Sequence, residues 1–227
     1  MIGKNELSRE SLAKLIRTFI SSEITAFDFD DGLDPYRDSD DPVVRHVVGA
    51  AWYHYDDCDD HLVCFSKEQW DYFQRLLLAL ESDSRIESDS ERRWSFKQLF
   101  AAISLLCFTL TAIQSGWGDH LFLLSVPFGI ISIALSFWRF NDDLKDDPYS
   151  QLISPFATFT DLATAYRSSE FRKTRFPKQI SERKIRSPFM AAFWTMHFYT
   201  MWLILSPFPL LFQTFPVTIT KSKVVAT

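Results

Sequence analysis

Glycine is scarce in this sequence, six among 227 residues, and none lies in a phosphate-cradling loop. There is no nucleophile elbow, no HExxH and no paired CxxC. These absences speak against the familiar hydrolytic, zinc-peptidase and nucleotide-binding chemistries. Cysteine is also sparse. Cys58, Cys64 and Cys107 make an odd number without framework spacing, which predicts reduced thiols facing or near the cytosol. No uninterrupted apolar core precedes residue 20, because Glu6, Arg9, Glu10, Lys14 and Arg17 break it, so no cleavable signal peptide is expected.

Charge is missing from three long stretches. Gln98 to Gly118 runs 21 residues without a charge, Leu121 to Trp138 runs 18, and Ser187 to Thr220 runs 34, densest from Phe189 to Phe212. A helix needs about 20 mainly apolar residues to cross the hydrocarbon core. Core helices of soluble proteins rarely stay uncharged so long. The first two runs are separated by Asp119 and His120, which predicts a tight helical hairpin. Arg92, Arg93 and Lys97 precede it, and ten bases lie between Arg139 and Arg186. By the positive-inside rule those flanks are cytoplasmic and the hairpin turn faces out. Three crossings would leave the chain outside after the third run, an arrangement that Lys221 and Lys223 oppose. Pro207, Pro209 and Pro216 leave a shorter or re-entrant third segment as an alternative. Trp94, Trp117, Trp138 and Trp194 fall near span ends, as an aromatic belt requires.

What remains is divided by charge. Residues 1–97 hold 21 acids and 12 bases, and the residues after them hold 8 acids and 12 bases. An acidic front half lacks the basic footprint of a nucleic-acid binder. Its periodicity predicts a small helical bundle. Residues 8–22 read as a helix with Ser8 as N-cap and an apolar stripe through Leu12, Leu15, Ile16, Phe19 and Ile20. Asp41-Pro42 opens a second helix and the Ser66–Gln69 capping box a third. The Asp, Gly and Pro content of Phe27 to Asp41 marks a loop, and residues 83–93 a polar linker. The stretch "FDFDDGLD" fails as a calcium loop. With Asp28 at position 1, Gly32 falls at 5 and Ser39 at 12.

One stretch concentrates chemistry: "YHYDDCDDH", Tyr53 to His61. On a continuous helix His54, Cys58 and His61 would share a face with Asp57 one turn before His61, a donor set suited to Zn²⁺. The simpler reading ends the helix near Asp57 and makes Asp56, Asp57, Asp59 and Asp60 a charged contact surface for a partner. No cofactor is required, a divalent metal being the exception. The opposite sign gathers in Arg167, Arg172, Lys173, Arg175, Lys178, Arg183, Lys184 and Arg186. Leu152, Phe156, Phe159, Ala163 and Tyr166 precede or abut them at helical spacing, which predicts an interfacial amphipathic helix on the cytoplasmic membrane surface. Within the spans, Gln114 and His197 are the polar side chains of interest. Ser125, Gly129, Ser132 and Ser136 follow small-residue spacing that permits close helix contact.

The segment "VVRHVVGAAWYHYDDCDDHLVCFSKEQWDYFQRLLLALESD" resembles a pattern in small uncharacterised bacterial membrane proteins. In these, a helical front domain carries W..YDD...H and then a tryptophan-bearing helix. The resemblance covers about residues 8–83. It implies a bacterial inner-membrane setting and a compact front domain, and it brings no activity with it.

The expected fold is all-α: a small cytosolic helical domain followed by about three transmembrane helices. Its parts are an acidic domain (1–83), a polar linker (84–97), a transmembrane hairpin (98–138), a basic connection (139–186), a third segment (187–216) and a tail (217–227). The leading function is a non-enzymatic membrane anchor or sensor. The alternatives are a homo-oligomeric pore or membrane-perturbing effector, and a membrane-tethered metalloenzyme using His54, Asp57, Cys58 and His61. Expected partners are membrane lipids and either a second copy of the chain or a second protein.

Overall fold

The computed structural model describes residues 5–54, 59–143 and 148–226. It is mostly helical, 65% helix with one small sheet. In chain order the elements are α1 (Glu6–Ile20), α2 (Ala26–Arg37), α3 (Pro42–Trp52), α4 (Lys67–Glu81), β1 (Ser84–Arg93), α5 (Phe96–Ser115), α6 (His120–Asp143), α7 (Pro148–Ile153), α8 (Phe159–Ser168), α9 (Lys178–Ser181), α10 (Pro188–Ile204), α11 (Pro207–Gln213) and β2 (Val217–Ala226). They form two compact units. One holds residues 1–89, 148–185 and 221–227, the other residues 90–147 and 186–220.

The first unit is built on capped amphipathic helices. Asn5, three residues before the expected Ser8, caps α1 by accepting from the Ser8 N–H. Asp41 caps α3 with Pro42 at its first position, and Ser66 with Gln69 closes a capping box on α4. The buried faces meet in an aromatic cluster. Phe19 stacks on Phe29 at 4.2 Å between ring centroids, and Phe65 lies 4.5 Å from Phe73. Leu12, Ile16, Val44, Val47, Leu76 and Leu77 fill the space around them.

The stretch expected to be a loop is helix α2. Thr25 and Asp28 form a reciprocal capping box, and Ala26, Phe29 and Leu33 place three fully buried side chains on one face. Burial of that face outweighs the poor helix propensity of its aspartates, Gly32 and Pro35. Gly32 lies close under Leu15: a Cβ there would come within 2.8 Å of Leu15 Cδ1, so that side chain would have to shift. The polar linker is instead strand β1, paired with β2 where a tail was expected. Ser88 and Ser222 hydrogen-bond through their hydroxyls at 2.9 Å. Val224 is fully buried, donates to Pro155 O and accepts from Ala157 N, both at 2.9 Å. The expected single amphipathic helix is two, α7 and α8, interrupted at Pro155, which cannot donate to a helical ladder. Its proposed stripe therefore divides: Phe156 is buried, while Leu152, Phe159 and Tyr166 are exposed.

In the second unit, two helices among the described residues are long and apolar enough to cross a membrane, Phe96–Ser115 and His120–Trp138. Gly116, at φ +79°, ends the first of them. Only 11% and 22% of these spans are buried. Leu99, Ile103, Leu106, Leu110 and Ile113 stand exposed along α5. The third uncharged run is not one helix. It is α10, 17 residues, and α11, 7 residues, separated at Leu205 and Ser206. At about 1.5 Å per residue α10 is roughly 25 Å long, short of the roughly 30 Å hydrocarbon core. Pro207 sets the break, because it supplies no N–H to continue the ladder of α10.

The small-residue face of α6 is where α10 and α11 pack. Ser125 Oγ donates to Leu203 O at 3.1 Å, and Ser206 Oγ, fully buried, donates to Ser125 O at 2.8 Å. Ser132 is the hub of the next layer. Its hydroxyl donates to Gln213 Oε1 at 3.1 Å and accepts from Trp202 Nε1 at 2.9 Å. Gln213 Nε2 donates to Ser132 O and to Ser136 Oγ. The bend between α10 and α11 is thus hydrogen-bonded inside the unit.

Candidate functional site

Three groups of residues concentrate polar chemistry in the first unit. The first is the acidic segment. Helix α3 stops at Trp52, with Tyr53 as C-cap, and the residues from 59 to 65 are not helical. His54 and His61 therefore do not share the continuous helical face on which a zinc set would rest. His54 packs as an aromatic, its ring 5.1 Å from Tyr72 and 5.6 Å from Phe73, and burial pushes its pKa down. His61 Nδ1 is 2.8 Å from its neighbour's carbonyl, Leu62 O. Asp56, Asp57 and Cys58 lie outside the described residues. Among the described residues no three His, Cys, Asp or Glu side chains gather to hold a metal.

Asp60 has a local task that its sequence neighbours did not reveal. Its carboxylate accepts from the Phe27 N–H at 3.2 Å, and His61 O accepts from Ala26 N at 2.8 Å. Both acceptors cover free amides in the first turn of α2, where negative charge is favoured by the helix dipole. Asp60→Ala is expected to lower stability by about 1 kcal/mol, with Asp60→Asn close to the parent in thermal unfolding. Equal stability of Asp60→Ala and the parent would refute this capping role.

The second group is the buried pair Arg9 and Asp41, 5% and 1% exposed. Arg9 Nε donates to Asp41 Oδ2 at 2.6 Å and Nη2 to Oδ1 at 3.1 Å. The guanidinium also reaches Ser82 O and Ser84 O. Asp41 accepts further from Val43 N and Asn5 N. Burial pushes the Asp41 carboxyl up. The hydrogen bond from Arg9, the Val43 amide, the Arg9 charge and the Asn5 amide together outweigh it, so the carboxyl stays below the usual range. These bonds all run to protein, so this pair ties α1, α3 and the end of α4 together.

Arg167, Arg172, Arg175, Lys178 and Lys184 are exposed. Lys173 pairs with Asp71 at 2.7 Å, and Arg186 belongs to the second unit. Arg183 is half-buried. Its Nη1 donates to Ser22 Oγ at 2.8 Å and to Val63 O at 2.9 Å. In the second unit Gln114 is exposed on α5. His197 is exposed on α10, with its ring 6.4 Å from Phe193 and 5.9 Å from Trp194.

The third group was not anticipated. A cleft of about 520 Å³ opens between the end of α1 and residues 174–183. Lys14, Arg17, Arg175 and Arg183 line it, against the single acid Glu23. The sequence signal was there: Lys14 and Arg17 are three residues apart on one helix face. Arg183 comes from more than 160 positions away, which no spacing reveals.

The chain matches no family model, no curated protein and no solved structure.

Proposed function

We propose that this is an integral membrane protein of the bacterial inner membrane that acts as a non-enzymatic anchor or sensor. The acidic helical unit faces the cytosol, and a partner or signal is received at Asp56, Asp57, Asp59 and Asp60. The observation that carries the membrane reading is the exposure of α5 and α6. Helices of this length and hydropathy belong either inside a core or in lipid, and these two are largely bare. Lys97 and Trp138 support it at one end, with the ammonium 5.4 Å from the indole centroid, a pairing suited to an interface.

The proposal replaces three crossings with two. Residues 221–227 belong to the same unit as residues 1–89, tied in by the Val224 backbone bonds. Both therefore share one side of the membrane, which requires an even number of crossings. Helices α5 and α6 cross, while α10 and α11 enter and leave by the same face. A helix break at membrane depth is tolerated only where protein satisfies the backbone. The bonds among Ser125, Ser132, Ser206 and Gln213 supply that.

Two measurements test this. The protein is expected to resist extraction from membranes at alkaline pH, and release into the supernatant would overturn the membrane reading. A reporter fused after Thr227 is expected to report the cytosol, as one fused before Met1 does. Reporters on opposite sides would restore a third full crossing. For the anchor role, crosslinking in native membranes from Asp59 or Asp60 is expected to capture a second protein. A ladder of this chain alone would favour the homo-oligomeric pore.

A further inference from the structure

We infer that the cleft between the end of α1 and residues 174–183 is a binding site for a phosphate ester. Its volume, about 520 Å³, is that of a small-molecule site. Three of its four cations have no acid partner among the described residues. Arg17 is paired with Glu81, but among the described residues Lys14 and Arg175 form no ion pair, and Arg183 meets no carboxylate. Three positive groups without acid partners therefore converge in a unit whose N-terminal 89 residues are strongly acidic. An anion entering there is the natural counter-charge.

The details favour phosphate. Arg183 is held from behind by Ser22 Oγ and Val63 O through one nitrogen, Nη1, so its fork is preoriented. Ser22 accepts that bond, which leaves its own O–H to donate. Ser22 also sits at φ +67°, a left-handed conformation uncommon for a residue with a side chain. It is fixed there by Ser22 N to Phe19 O at 2.9 Å and Glu23 N to Thr18 O at 3.1 Å. Trp70 lends the cleft an apolar wall, and its indole N–H is committed to Thr174 O at 3.2 Å. A guanidinium fork, a hydroxyl, two exposed cations and an aromatic wall suit a phosphate joined to an organic group. That group is either a soluble metabolite or a phospholipid headgroup.

The test uses the purified full chain in neutral detergent. The probes are glycerol phosphate and mixed micelles of phosphatidylglycerol against phosphatidylcholine, with binding read by titration calorimetry. Saturable binding of either phosphate probe is expected, weakened at least tenfold by Lys14→Gln with Arg175→Gln. Both positions are exposed, so the fold should persist. The control removes the same charge elsewhere, with Arg45→Gln and Lys67→Gln, both exposed and away from the cleft lining, and is expected to bind as the parent does. Binding of glycerol phosphate assigns a soluble ester. Binding of phosphatidylglycerol alone assigns a headgroup. No saturable binding of either probe, or equal loss in the control, would overturn the site. The soluble arm needs no membrane, so its outcome is independent of the proposed anchoring role.

Discussion

Asp41→Ala is expected to destabilise the helical unit by about 3–5 kcal/mol, the cost of leaving a buried charge without its partner. Arg9 would keep Ser82 O and Ser84 O but lose its counter-charge in a site 5% exposed. The change also removes the cap of α3, since Asp41 accepts from Val43 N at 2.9 Å. Thermal unfolding of the full chain in detergent measures the effect. Arg9→Leu with Asp41→Ala should recover part of the loss, because removing both charges abolishes the desolvation problem. A loss below about 1 kcal/mol in Asp41→Ala would mean that Arg9 is hydrated in solution.

The same pair gives the acid limb of stability a definite shape. The folded Asp41 carboxyl titrates below its unfolded value of 3.8, so the pair's contribution is complete above that pH and disappears as pH falls through the folded value. A separate loss begins earlier. Burial lowers the pKa of His46 and His54 from 6.5, and the Nε2 of His46 is buried without a hydrogen-bond partner among the described residues. The unfolded chain therefore takes up protons first as pH falls below about 6.5. Stability should decline in two stages, imidazole first and carboxylate later.

The parts of this fold that could be read from sequence are those with a one-dimensional signature. The caps at Asp41 and Ser66 and the uncharged runs of α5 and α6 are local patterns. Helix α2 was hidden because its aspartates, Gly32 and Pro35 all signal a turn, while what decides it, burial of Ala26, Phe29 and Leu33 with Phe29 stacked on Phe19, is tertiary. Strand β1 was hidden for another reason. Beyond Ile86 its side chains are exposed, so no alternation marks it, and pairing with β2 holds it. The bases between Arg167 and Arg186 read as one surface. Folding gives them separate tasks, with Lys173 on Asp71 and Arg183 behind Ser22. The candidate phosphate cleft follows from that separation, which charge counting cannot see.

Gly129→Leu is expected to unseat α10 from α6. A Cβ at this position would stand 2.6 Å from Leu203 Cα and 2.9 Å from Leu203 O. Both are backbone atoms, so no side-chain rotation relieves the clash, and α10 itself must move. Gly129→Ala should already cost about 1–3 kcal/mol, the range for overpacking, despite alanine's better helix propensity. Leucine should cost more and break the layer beside it, where Ser125 reaches Leu203 O and Trp202 reaches Ser132. Without those bonds the bend at Leu205 and Ser206 loses the protein groups that satisfy it, and in the proposed re-entrant arrangement lipid would offer no replacement. Limited proteolysis of the full chain in detergent, probing residues 205–213, is the measurement. Rapid cleavage is expected for Gly129→Leu, intermediate for Gly129→Ala, and slow for the parent. If all three resist equally, α10 does not rest on Gly129, and the small-residue spacing of α6 serves a contact with another chain instead.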